Sequence, residues 1–511
     1  MEREHDAIII GSGMGGLTTA ALLSRAGLKP LVLEHHFAAG GNAQTFRRKR
    51  MFDFDVGLHY IGDCGRDGLF PVLLRNTGID NEFELLPMDT DGFDTLVYPD
   101  LRFRVPAGWE NYRQRLHETF PQERHAIDRY LEFAHAAAQG AWRPPNSEPT
   151  ALERRLGKPA SACTLGEVFD GLECSMRLRA VLASFSGTYA APPSRAAAWA
   201  HAGLQEHYIK SGAYFIRGGG RALVDALVGV VKRNGGEVRL RSRVRRVLVE
   251  DGKAIGVELK SGEVLRSAIV VSNADVKRTL LEMVGRENLS GQTVEKAEAG
   301  RMALPLFIIY MAMKRDPLEA SPQNTNYLLA SDYDVERPYA ACYEGELPED
   351  PPVFISIASR KDPESRNIAP AGYTNLQLMT AAPTALRTWG AGTSPASGGR
   401  YRHTLDYTTA KKLLEERMLD QVERLMPGFI RDVVWQESAT PLTQERFTLS
   451  TGGTSYGLEL SPDQMGEGRF PIATEIEGLY LVGAGTTFGH GIGGTMVSGQ
   501  AAAGTILAKR G

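Results

Sequence analysis

The sequence predicts an α/β protein in which a parallel sheet carries a nucleotide-binding turn and a second, α+β part is threaded through the chain. Three observations predict it. Residues 6–34 read strand, glycine turn, helix, strand. Residues 214–275 run through a helix into several short β-branched stretches. The chain then closes on another apolar strand that opens into a glycine turn and a small-residue helix. Strand–helix alternation of this kind builds parallel sheets.

The stretch DAIIIGSGMGGLTTAALLSRAGLKPLVLE begins at Asp6 and ends at Glu34. Ala7–Ile10 is short, apolar and β-branched, as a buried parallel strand requires. Gly11, Gly13 and Gly16 form G-x-G-x-x-G, with Gly15 inside it, where that strand turns into the helix Leu17–Ala26. The first glycine permits the tight turn, the second lets the backbone approach a pyrophosphate, and the third lets helix and strand pack closely. The helix N-terminus presents N–H groups and a positive dipole end to phosphate. Gly27 stops the helix, Leu31–Leu33 is the next strand, and Glu34 is placed to accept hydrogen bonds from a ribose diol. A glycine turn alone would leave Glu34 unexplained.

Composition bounds the rest. The chain has 511 residues, enough for two or three domains. It is 42% hydrophobic and 23% charged, as a soluble globular protein is. Its net charge of −3 argues against nucleic acid as a general partner. Cys64, Cys163, Cys174 and Cys342 have no metal spacing, so we expect no metal site and reduced thiols in a cytoplasmic protein. No segment has the length and apolarity of a membrane span, and the nucleotide strand starts too early to leave room for a signal peptide. The most apolar run, Ala303–Met313, is short and contains Pro305. It reads as a buried strand, with a peripheral lipid contact as the other reading.

Further along, Gly40-Gly41-Asn42 follows the acid almost at once, and Phe54-Asp55-Val56-Gly57-Leu58-His59-Tyr60 comes soon after. Between them Arg47–Arg50 reads as a solvated hairpin face, or as a contact for an anionic surface or phosphate. From about 75 to 210 the pattern is helical: 110–119, 125–139, 164–172 and 195–210, with a loop at 142–147 and Pro192-Pro193 at a helix entry. Tyr214–Leu223 leads into a helix over 222–232, then strands over 237–241, 244–250, 254–260 and 264–272. The basic residues 239–246 read as solvated strand faces. Residues 303–314, 353–359 and 375–380 read as antiparallel strands, 390–399 as a mobile Gly/Ser/Thr-rich loop, and 407–425 as a helix. The last element runs from a strand at 478–482 through Gly483-Ala484-Gly485 and Gly489–Met496 into a helix over 497–508.

The second glycine pair directly after the acidic strand resembles the signature of FAD enzymes of the amine oxidase and phytoene desaturase group. FDVGLHYIGD (54–63) and GTYAAPPS (187–194) resemble more particularly the retinol saturase and carotenoid isomerase branch. The wording VGAG is similar to the phytoene desaturase group, whereas many FAD enzymes place an Asp where Ala484 stands. Motifs at both ends and in the middle match, so the resemblance spans the chain. It implies a Rossmann-like FAD-binding domain formed by 1–75, 212–290 and 440–511. A discontinuous α+β substrate domain would be formed by 76–211 and 291–439.

By that resemblance, Gly11, Gly13, Gly15, Gly16, Glu34, Gly40, Gly41, Asn42, Val244, Gly483, Ala484, Gly485, Gly494, Thr495 and Met496 would hold FAD. The substrate would be an apolar polyene or isoprenoid lipid, undergoing saturation or desaturation at a carbon–carbon bond. A flavin-dependent cis–trans isomerase and an amine oxidase are the alternatives, the latter needing an aromatic cage at the flavin. His59 and Tyr60, directly after the FDVG stretch, are the candidate acid–base pair, since His suits proton transfer near neutral pH. Tyr189, His207 and Tyr208 are expected to line the substrate tunnel. Gly218–Gly220 lacks the preceding strand and downstream acid of a second nucleotide site, so the electron partner stays open. A peripheral membrane contact is the remaining partner expectation.

Overall fold

The computed structural model describes residues 5–138, 148–318 and 324–510. The expected loop at 142–147 lies outside them. Among the described residues the nucleotide part is a five-stranded parallel sheet in the order Leu479–Leu481, Val270–Ser272, Ala7–Ile10, Pro30–Leu33, Glu237–Arg239. The apolar run Ala7–Ile10 is wholly buried because both faces are covered. Ala7 and Ile9 face the helices Met14–Arg25, Gly219–Arg233 and Gly491–Ala508. Ile8 and Ile10 face a three-stranded antiparallel sheet of Val244–Glu250, Lys253–Leu259 and Val264–Arg266.

The second layer system is a seven-stranded sheet in the order Val433–Ala439, Leu306–Met313, Thr374–Ala381, Val353–Ser356, Asn326–Leu329, Asp94–Tyr98, Leu101–Val105. Alternation decides its faces. Phe307, Ile309 and Met311 pack on Leu414, Met418 and Val422 of the helix Leu405–Leu425. Ile308, Tyr310 and Ala312 pack on Phe52 and Phe54 of the hairpin Thr45–Arg48/Phe52–Asp55. A helical cap, including Trp109–Thr119, Arg124–Ala138 and Ala198–Ile209, forms its own core around Tyr112, Tyr130 and Phe169.

Several local expectations are corrected. The second sheet is mixed, because Asn326–Leu329 runs parallel to Asp94–Tyr98. That strand and Leu101–Val105 lie in a stretch read as helical; LRFRV does alternate, but its arginines hid the apolar face. The expected strand over 264–272 is two strands in different sheets, split where Ser267 Oγ donates to Asp6 O and accepts from Ile269 N. The strand from Val353 stops at Ser356 and a helical turn, Ala358–Lys361, follows. The C-terminal helix starts at Gly491, six residues before the expected Val497, since the small residues there tolerate close packing. The loop 390–399 is packed rather than free: Ala396 O accepts from Arg243, and Ser394 Oγ donates to Glu445.

Candidate active site

At the C-terminal edge of the parallel sheet, a cavity of about 760 Å³ runs between the glycine turns of both chain ends. Its floor is Gly11, Gly13 and Met14, at the start of the helix Met14–Arg25. A Cβ on Gly13 would stand 2.4 Å from Asn273 Nδ2, so only glycine lets the turn approach this side chain. Asn273 Oδ1 in turn accepts from Gly16 N at 3.1 Å. Glu34, at the tip of Pro30–Leu33, accepts from Ser12 N and Oγ at 2.9 and 2.6 Å and from His36 N at 2.8 Å. Gly41 sits at φ +56°, where a Cβ would stand 3.0 Å from Gly13 Cα, a position strained for any side chain.

Asn42 is locked by Gln444, whose Nε2 donates to its Oδ1 at 2.7 Å, while its own Nδ2 donates to Ser455 O. Val244, Gly483, Ala484, Gly485 and Thr495 complete the wall. The buried Nε2 of His36, another wall residue, has no hydrogen-bond partner. A helix N-terminus, a buried acid at the strand tip, backbone bared by glycine and an unused donor together fit FAD.

A second cavity of about 600 Å³ lies between the helical cap and the seven-stranded sheet. Its wall is mostly apolar or aromatic, including Tyr60, Tyr208, Leu204, Ala330 and Phe354. Tyr208 stacks on Tyr60 (4.5 Å between centroids) and on Phe185 (5.6 Å). The two cavities share Gly57, His59, Leu306, Tyr456, Gly491 and Ile492 as common wall. His59 therefore stands where the cofactor and apolar spaces meet, and its buried Nδ1 is unpaired.

The titratable groups at this junction are held neutral. Burial, with the Lys361 ammonium nearby, pushes His59 down to about 3. Burial drives Tyr456 well above the ordinary phenol range, and lowers His207 and His490 to about 4. Burial of this kind disfavours the protonated ring, so His59 stands at the junction as a neutral hydrogen-bond donor or acceptor. Tyr60 donates its hydroxyl to the buried Asp94 at 3.2 Å. Sequence reasoning missed Lys361, which is 2% exposed and donates to His59 O and Ser356 Oγ at 2.7 Å each. Its pKa is lowered by burial, while that of Asp94 is raised for the same reason. Nothing in the stretch Ser359-Arg360-Lys361 announces a buried cation.

Of the expected cofactor residues, the structure brings Gly11, Gly13, Glu34, Gly40, Gly41, Asn42, Val244, Gly483, Ala484, Gly485 and Thr495 to one cavity. Gly15 and Gly16 are instead packing glycines. A Cβ on Gly16 would meet Gly11 O at 2.2 Å, and one on Gly15 would crowd Asn273 and Gly483. Gly494 faces the second cavity, and Met496 is fully buried in the core beneath the C-terminal helix. His207 and Tyr208 line the second cavity. Tyr189 stands behind its wall: its hydroxyl hydrogen-bonds His201 Nδ1 at 2.8 Å and Ser186 Oγ at 3.1 Å. The arginines 243 and 245, expected on solvated faces, border the cofactor cavity.

Comparison with known proteins agrees with this geometry. The family model for flavin containing amine oxidoreductase matches residues 14–507. The chain is 31% identical over 509 residues to all-trans-retinol 13,14-reductase of Rattus norvegicus, covering 94% of this chain and 82% of that protein. It is 26% identical over 515 residues to the neurosporene-forming phytoene desaturase of Rhodobacter capsulatus, covering 97% and 92%. Among solved structures, putrescine oxidase bound to putrescine aligns with a TM-score of 0.66 over 99% of both chains at 14% identity, a likeness of fold.

Proposed function

The chain belongs to the flavin containing amine oxidoreductase family, and on that premise we propose that it is an FAD-dependent oxidoreductase that saturates a carbon–carbon double bond of an apolar polyene or isoprenoid lipid. The observation that carries this reading is the shared wall: the cavity fitted to FAD has His59, Leu306, Tyr456 and Ile492 in common with a largely apolar cavity. The likeness to a retinol reductase supports the reducing direction.

FAD supplies the two-electron exchange with the substrate carbon when bound. The chain's own residues bind, orient and shield. Glu34 would receive the ribose hydroxyls, Gly11, Gly13 and the following helix start the pyrophosphate, and the backbone of Val244 the adenine end. Gly40, Gly41, Asn42, Gly483, Ala484, Gly485 and Thr495 would hold the remainder. Leu306 and Ile492 exclude water from the junction, while neutral His59 and Tyr456 present polar atoms without charge. Tyr60, Tyr208 and Phe354 offer stacked aromatic faces along the substrate wall.

We take residues 1–75, 212–290 and 440–511 as the cofactor part and 76–211 and 291–439 as the substrate part; the five strands of the parallel sheet then fall in the first and the seven of the mixed sheet in the second, while Leu85–Pro87 pairs with Tyr214–Ile216 across the division. Among the described residues no helix is long and apolar enough to cross a membrane. Leu69 and Phe488, 40% and 42% exposed, border the substrate cavity, and we assign to them the entry of a lipid from a peripheral membrane contact. An amine oxidase would need aromatic rings flanking the junction; among the described residues its six-member wall has one phenol, Tyr456.

Anaerobic incubation of the pre-reduced holoprotein with a polyene panel tests the reading, following flavin absorbance and product mass together. Flavin recolouring with a substrate two mass units heavier supports saturation. Bleaching of oxidised flavin with a lighter product makes it a desaturase, and unchanged mass with altered retention an isomerase. Bleaching by amines alone would overturn the lipid reading.

A further inference from the structure

Among the described residues, the buried guanidinium of Arg469 has no carboxylate within ion-pair distance; the residue is 1% exposed. Its donors go to neutral acceptors: Nη1 to Ala484 O at 2.6 Å, Nη2 to Leu458 O at 2.8 Å and Glu459 O at 3.4 Å, and Nε to Met465 Sδ at 3.4 Å. Glu459, whose main-chain carbonyl takes one of these bonds, has its carboxylate already engaged by Arg195 through both oxygens and by Arg301. Carbonyls satisfy the hydrogen bonds of a guanidinium but leave its charge uncompensated, and a buried charge in that condition is costly unless something opposite faces it.

The position of this charge is informative. Ala484, whose carbonyl takes the shortest of these bonds, belongs to the cofactor cavity wall. Met465 and Leu460 on the same segment line the substrate cavity. The field of Arg469 reaches the junction side as well, since it helps hold His490 below its ordinary value. The guanidinium itself stays charged, lowered by burial only to about 10. Low-dielectric surroundings screen such a charge weakly.

We propose that Arg469 is a positioning and tuning residue for the flavin: it clasps the Ala484 turn and supplies the positive potential that favours the reduced, more negative cofactor. This rests on the reading of the protein as a flavin-dependent reductase and adds the residue that biases it toward holding electrons. The charge near the flavin ring is one of the terms by which a protein sets its electronics.

The test is the midpoint potential of the bound flavin, measured on the holoprotein by equilibrium titration against a reference dye with no substrate present. Arg469→Met removes the charge and should move the oxidised-to-reduced equilibrium at least tenfold toward oxidised, about 30 mV for a two-electron couple. Arg469→Lys keeps the charge without the fork and should stay within threefold of wild type. Glu459→Gln guards against a variant that fails to fold, because it removes a neighbouring negative charge and should shift the equilibrium threefold or more the other way. The proposal is overturned if Arg469→Met retains FAD with an unchanged potential, or if Arg469→Lys falls as far as Arg469→Met. It is also overturned if Glu459→Gln shifts in the same direction as Arg469→Met, which marks a scaffold effect. Expected potentials with no polyene turnover would instead overturn the proposed substrate and leave Arg469 standing.

Discussion

Replacing His201 with Leu tests whether the Tyr189–His201 pair is structural or part of the substrate wall. Both residues are 1% exposed. His201 Nε2 faces Leu182 O at 2.9 Å, so it carries the proton, and Nδ1 accepts from the Tyr189 hydroxyl. Leu182 O keeps a second donor, Gln205 Nε2 at 3.1 Å, in the variant. The loss at pH 7 is therefore the Tyr189–His201 hydrogen bond, with Ser186 Oγ at 3.1 Å left as the other partner of the hydroxyl, about 1 kcal/mol. Burial lowers His201 from 6.5 to about 4, which penalises its charged form by about 3 kcal/mol. Between those two pH values the unfolded chain binds the proton and the folded protein does not. Wild type therefore loses this contribution as pH falls from 6.5 through about 4. His201→Leu has no such group, so its deficit at pH 7 should shrink by about 2–3 kcal/mol at pH 4.5 and invert. Denaturant unfolding followed by tryptophan fluorescence at the two pH values measures this. An equal deficit at both would refute the buried neutral histidine. Tyr189→Phe in the same assay should cost about 1 kcal/mol and leave the substrate KM unchanged; a tenfold rise would return Tyr189 to the substrate wall.

Three further outcomes follow from the site. Gly41→Ala forces a side chain onto φ +56° against Gly13, and should weaken FAD binding to the apoprotein by roughly 5- to 100-fold in a fluorescence titration, from about 1–3 kcal/mol of strain. Glu34→Gln removes the charge that accepts from Ser12 and His36, and should cost roughly 10- to 100-fold in FAD affinity, since hydrogen bonds to charged groups contribute about 1.5–3 kcal/mol. With His59 held near 3, turnover should show no limb between pH 6 and 8 that disappears in His59→Asn; a limb near 6.5 lost in the variant would make His59 the proton carrier after all.

What the sequence determined by itself was the part of the protein whose chemistry is local. The Asp6–Glu34 stretch encodes turn, helix start and acid within one strand–helix–strand unit, and the glycines at 40–41 and 483–485 must bare backbone wherever they fall. A dinucleotide cofactor was legible from these alone, because phosphate recognition uses contiguous main chain, and FAD followed from the resemblance of the second glycine pair to flavin enzymes. Even there the sequence could not separate Gly13, which lines the cavity, from Gly16, which exists to let Gly11 O pass. Both are glycine for steric reasons, and only the third dimension says what the missing Cβ would have struck.

Tertiary structure alone decided the charges and the junction. Lys361, Asp94 and Arg469 are exposed-type residues in ordinary sequence contexts, yet each is at most 6% exposed, buried by segments far away in the chain. Lys361 reaches His59 across a separation of 302 residues. Their altered proton affinities come from that burial, which no local pattern encodes. The same holds for Tyr189, whose aromatic character suited a tunnel wall until His201, one helix later, drew its hydroxyl away from the cavity. Local sequence specifies backbone geometry; the surroundings of a side chain depend on which distant segments pack over it, and that is where the reactivity of this site is set.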